Sequence, residues 1–241
     1  MYDLTSFQLS DMTKCGARLR RLSEGVSGML EVADRTTRFL YDSLRQGDSR
    51  ETSCALVRFF KTHRYDALSP DLKRFAQEML GHPPPSSSMP CLTLLATSGD
   101  EPSWNSPIES LGHRAIPLVS ESMVAQSPMI SQLIQQLGFD VTSVLQPDPN
   151  LLVDLEQKTY NVFHVPRAEG SPYVPAQTEF VTRYGIESVL GFGGMLPTGE
   201  LFAIILFSKV AIPRETAEMF RSLALNVKVA ILPFAGSSLL T

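Results

Sequence analysis

The sequence predicts an α+β fold, on three observations. Apolar runs of strand length recur along the chain, and amphipathic helical patterns open and close it. The third is 201–207 (LFAIILF), which is apolar at every position. A strand without a polar side must be covered on both faces, so this one belongs in the middle of a sheet. The 241 residues, 43% hydrophobic and 19% charged, suffice for one large domain with a sizeable core.

Taken in order, residues 5–23 carry Leu9, Met12, Gly16, Leu19 and Leu22 at helical spacing. A second helix is predicted over 27–45, with Met29, Val32, Ala33, Thr36, Leu40 and Leu44 on one stripe. Gly47, Asp48 and Ser49 end it. Residues 54–61 (CALVRFFK) read as a strand with Ala55, Val57 and Phe59 on one face and Arg58 on the other. Ser69 and Pro70 are a helix start, and Gly81 closes that helix. The stretch 82–90 (HPPPSSSMP) cannot join a helix or a ladder and reads as an extended loop within one domain. The strand signal resumes at 91–97 (CLTLLAT).

Residues 99–112 are rich in turn formers and hold the single tryptophan, Trp104. Short strands are expected at 113–118 and 141–145, flanking a helix over 120–137 that Pro128 kinks or splits and Gly138 ends. A helix is expected over 148–158, a strand over 160–165, a Pro- and Gly-rich loop over 166–175 and a short helix over 178–184. Then come strand 186–192, a turn at Pro197, Thr198, Gly199 and Glu200, strand 201–207 and a long helix over 213–232. The expected division is an N-terminal helix (1–26) available for dimerisation, a domain (27–235) and a short tail (236–241).

Charge and composition narrow the function. The formal net charge of −4 offers no basic field for nucleic acid, and the arginines of the first two helices read as solvated faces. No apolar run approaches a membrane span and the N-terminus lacks a signal-peptide pattern, so the expectation is a cytoplasmic protein. Cys15, Cys54 and Cys91 are odd in number and form no CxxC pair, which fits a reducing compartment. The sequence holds no Walker A loop, GxSxG elbow, HExxH or strand-to-helix GxGxxG. Gly191, Gly193 and Gly194 are therefore expected to serve a hairpin bend.

From about Gln177 to Pro233 the chain resembles the GAF family of small-molecule sensor domains. The stretch TRYGIESVLGFGGMLPTGELFAIILF, followed by ETAEMFRSLALNVKVAI, is similar to that family's closing hairpin and final helix. The N-terminal part agrees in the order of its elements, an amphipathic helix leading into CALVRFFK. The resemblance implies a central antiparallel sheet of five to six strands, with helices packed on one face and a loop-capped pocket on the other. It implies a non-catalytic sensory or regulatory domain in signal transduction. Such a domain signals through its terminal helices, as a homodimer, to an output partner or domain of unknown identity.

Candidate ligand contacts are His113, His164, Trp104, Tyr160, Phe163 and Tyr173. In a GAF arrangement the two histidines would flank the pocket, as hydrogen-bond donors or as an axial ligand to haem. The aromatics suit the lining of an apolar concave site, with Tyr173, between two prolines, as a lid residue. No catalytic residue and no resident metal are expected. Alternatives are a GAF-fold interaction scaffold with its pocket filled, a haem-binding gas or redox sensor, and a cysteine-based redox enzyme. The last would need Cys54 and Cys91 to converge, since both begin strands that could be neighbours.

Overall fold

The computed structural model describes residues 1–47, 51–147 and 161–236. Its strands are β1 (Tyr2–Asp3), β2 (Leu44–Arg45), β3 (Cys54–Arg64), β4 (Pro90–Gly99), β5 (Ala115–Pro117), β6 (Val162–Val165), β7 (Ser188–Met195) and β8 (Leu201–Ser208). The helices are α1 (Leu9–Arg21), α2 (Met29–Ser43), α3 (Pro70–Leu80), α4 (Glu121–Ala125), α5 (Pro128–Gln136), α6 (Val141–Leu145) and α7 (Arg214–Ile231). Strands β3 to β8 form one antiparallel sheet in the order β5-β4-β3-β8-β7-β6, and β1 pairs with β2 apart from it. The apolar segment near the C-terminus is thus an interior strand, as its lack of a polar side requires.

The pleat of β8 divides the protein into two layers. Phe202, Ile204 and Leu206 face α1, α2 and α7, whose Leu19, Val32, Leu40, Phe220, Leu223 and Val227 complete one core. Leu201, Ala203, Ile205 and Phe207 face the other way, toward a second core built with α4, α5, α6 and residues 163–186. Helix α1 packs directly on α7, and Gly16 permits the close approach, since a Cβ there would lie 2.7 Å from the Asn226 side-chain nitrogen. Residues 1–26 and 27–235 therefore contribute to a common hydrophobic core. Within it Phe220 packs 5.4 Å from Phe7 and 5.2 Å from Phe192 between ring centroids.

Local expectations hold where capping chemistry is strong. The Ser69 hydroxyl accepts from Leu72 N with Pro70 at the first position of α3, and Gly81 ends that helix at φ 70°. Pro128 splits the 120–137 helix into α4 and α5, with Ser120 capping the first piece.

Other expectations fail for identifiable reasons. Residues 141–145 form α6 and no strand: the turn starts at Asp140, and packing Val144 into the second core outweighs the local β preference of Val and Thr. The short helix expected over 178–184 does form, as a π-helical turn, Gln177–Thr182, with Gly185 following at φ 62°. The β3 register shifts between Cys54 and Leu56, so Ala55 joins the second core while Val57 and Phe59 stay in the first. Strand β7 runs on through its glycines to Met195, and the bend falls at Gly199, φ 93°. Gly193 serves close approach instead: a Cβ there would overlap the Phe202 carbonyl oxygen and lie 2.8 Å from Ala203 Cα. The expected helix over 148–158 and the residue Tyr160 lie outside the described residues.

Candidate functional site, an apolar cavity with a half-buried arginine

On the sheet face opposite the terminal helices lies a cavity of about 180 Å³. Its floor is the middle of the sheet. Residues directly opposite on neighbouring antiparallel strands share a face, and the pairs Leu56–Phe207 and Arg58–Ile205 are both in the lining. Met129, Ile130 and Leu133 of α5 form the wall, while Pro175, Ala176 and Phe180 form the cover. Trp104 and His113 stand at the rim.

The cover and the rim are held by specific polar contacts. Asn105 clamps the turn bearing Trp104: its Oδ1 accepts from Gly99 N at 3.1 Å, and its Nδ2 donates to Gly99 O at 3.0 Å and Glu101 O at 2.9 Å. The Tyr184 hydroxyl donates to Glu101 at 3.0 Å, and its ring lies 4.5 Å from that of Trp104. Phe180 meets Phe207 edge-on at 5.0 Å, joining cover to floor. Gln177 organises the loop before the cover. Its Oε1 accepts from Gly170 N at 2.8 Å, and its Nε2 donates to Ala168 O at 3.1 Å and Val174 O at 2.7 Å. Ala176, in the lining, has φ 55°, the only positive φ outside glycine among the described residues. Strain of this kind, beside a π-helical turn, is enriched where a segment serves a ligand.

Two groups give the cavity polarity. Arg58 extends from β3 into the apolar space and forms no ion pair with any described residue. Its Nη1 donates to His113 Nδ1 at 3.3 Å, while its Nε is sealed from solvent without an acceptor. Burial lowers its pKa to about 10, still charged at neutral pH. His113 presents its outer edge to solvent. Desolvation of the ring and the neighbouring Arg58 charge push its pKa down to about 4, so it is neutral at pH 7.

The residues singled out from sequence divide accordingly. Trp104 and His113 meet at the cavity, although His113 precedes β5 and is not part of a strand. Phe163 is fully buried behind the wall, packed in the same core as Leu133. Tyr173 lies two residues before the cover and outside the lining. His164 does not flank this cavity. Phe163 and Val165 face the second core, so the pleat sends His164 to the opposite side, into an open cleft with Ile212, Arg214 and Arg221. The space beside His113, of one ring's size, is too small for a haem.

Sequence reading missed Arg58, α5's Met129 and Ile130, and Ala176. For Arg58 a signal existed: it is the single charge inside CALVRFF, a segment otherwise without a charged group.

The thiols lie elsewhere. Strands β3 and β4 are neighbours but antiparallel, so Cys54 and Cys91 begin at opposite ends and Cys91 pairs with His63. All three cysteines are buried, and burial pushes each thiol up to about 12, away from the thiolate a nucleophile needs. Among the described residues no cluster of His, Cys, Asp and Glu is arranged to hold a metal, and no helix is long and apolar enough to cross a membrane. The chain matches no protein-family model, and no significant relative was found among curated proteins.

Proposed function

We propose that the chain is a non-catalytic, GAF-type sensory module that binds a small molecule in this cavity and reports it through its terminal helices. The single observation that carries the reading is the position of β8. Ile205 and Phe207 form the cavity floor, while Phe202, Ile204 and Leu206 on the same strand carry the core beneath α7. A ligand that shifts the floor thus acts on a strand whose other face supports the helices. The six-stranded antiparallel sheet, with terminal helices on one face and a covered pocket on the other, agrees with the GAF resemblance. The open cavity favours a ligand-binding domain over a scaffold whose pocket is filled by its own aromatics.

The expected homodimer draws support from α7. Leu225 and Val229, followed by Leu232, recur at intervals of four and three residues and remain exposed, a stripe suited to pairing with a second copy. Signalling requires the ligand to prefer one of two arrangements of the module.

Hydrogen exchange on the full chain, with and without the single-ring probes toluene and benzoate, tests this reading. Binding should slow exchange over 102–118 and 168–182 and also change it in α1 and α7. Protection confined to the cavity segments would overturn the sensory role. No change anywhere would overturn ligand binding itself.

A further inference from the structure

We propose that the ligand of this cavity is a small aromatic carboxylate, with its anionic head on the Arg58 guanidinium and its ring among the apolar walls. The proposal rests on the ligand-binding reading above and adds a chemical class to it. Size comes first. A dry apolar cavity of about 150 Å³ accepts benzene, so the space of about 180 Å³ takes one ring with a short substituent. A nucleotide, a tetrapyrrole or a long acyl chain exceeds it.

The lining supplies the rest of the specificity. Phe60, Phe180, Phe207 and Trp104 offer ring faces and edges, and Leu133 and Ile205 fill between them. Such a wall selects a flat apolar body over a sugar or an amino acid bearing an ammonium group. Arg58 selects the head group. A guanidinium has five donors and no acceptor, and carboxylate is the partner whose geometry matches its fork. Here one terminal nitrogen is held by the neutral His113, Nε has no acceptor, and no described carboxylate neutralises the charge. A half-buried cation against apolar walls, with no counter-charge among the described residues, carries a desolvation cost, and reducing that cost is what an anionic ligand gains on entry. The His113 contact orients the guanidinium without neutralising it, because the imidazole is uncharged at pH 7.

Calorimetric titration of the full chain decides the matter, with benzoate as anionic probe and benzyl alcohol and toluene as neutral ones. In the wild-type protein, benzoate should bind about tenfold or more tightly than benzyl alcohol, the range expected of a charge-assisted hydrogen bond. The variant Arg58→Met should keep toluene and lose that preference, while Arg58→Lys should retain part of it. The wild-type comparison stands even if Arg58→Met fails to fold. Equal affinity of wild type for benzoate and benzyl alcohol would overturn the anion assignment and leave the cavity as a neutral-ligand site. Failure of all three probes to bind would instead overturn the cavity as a ligand site.

Discussion

Nη1 of Arg58 lies 3.3 Å from Nδ1 of His113. A guanidinium can only donate, so Nδ1 must be the acceptor and the imidazole carries its proton on Nε2. Protonating His113 would destroy that acceptor and set two cations side by side.

Stability should therefore fall in mildly acidic solution. His113 is lowered from 6.5 to about 4, by burial and then by Arg58. His63 is lowered from 6.5 to about 3, by burial and then by the Lys61 charge. In each case the unfolded chain takes up a proton near pH 6.5 while the folded chain resists it. Stability is then full above pH 6.5 and declines as the pH falls toward the folded-state values. Urea midpoints measured from pH 8 to pH 4 should be level above 7 and fall below 6.5. The variant His63→Gln should flatten that fall more than His113→Gln, because His63 is buried and His113 is partly in solvent. A flat profile in the wild type would contradict these environments.

Gly193 carries a backbone prediction. Any Cβ there meets the main chain of β8 at Phe202 and Ala203, which cannot step aside as a flexible side chain would. Gly193→Ala should cost about 3 kcal/mol or more, in the range of severe core defects. Gly112→Ala, where nothing lies within 4 Å of the added atom, should change stability by less than about 0.5 kcal/mol. Chemical denaturation of the two variants makes the comparison.

Lys61 and Glu200 give a third test. Lys61 is 1% exposed, and its ammonium lies 3.3 Å from the Glu200 carboxylate at the turn before β8. Removing one partner strands a buried charge, so Glu200→Ala should destabilise by about 3 kcal/mol. Replacing the lysine as well, in Lys61→Met with Glu200→Ala, should recover most of that loss. Additive losses in the double variant would show that the pair is not coupled.

The fold was largely legible because its strongest signals are local. The doubly apolar LFAIILF placed β8 inside a sheet, and Ser69 with Pro70 and Gly81 marked α3 to the residue. What stayed hidden depended on tertiary partners. Residues 141–145 have strand propensity but pack as a helix, and Gly193 of β7 answers to a neighbouring carbonyl invisible in one dimension.

The site was legible only in part. Trp104 was found as the aromatic of a turn-rich stretch, and His113 as a titratable residue in an expected strand bordering it. His164 and Phe163 are adjacent in sequence, and only the pleat decides which of them faces the cavity side. Arg58 needed more than its strand. A charge on an apolar segment reads as the solvent side until the covering layer, α5 and the 175–180 cover, is known to lie over it.

The central claim is that a small ligand enters the space between the sheet and its cover. Trp104 is the chain's single tryptophan and stands at the rim of that space, so its fluorescence reports occupancy without a label. Titrating the full chain with benzoate should give a saturable change in emission, absent in Leu133→Phe, whose larger side chain fills the wall. Emission that stays unchanged through saturating benzoate and toluene, or that changes equally in Leu133→Phe, would contradict the account.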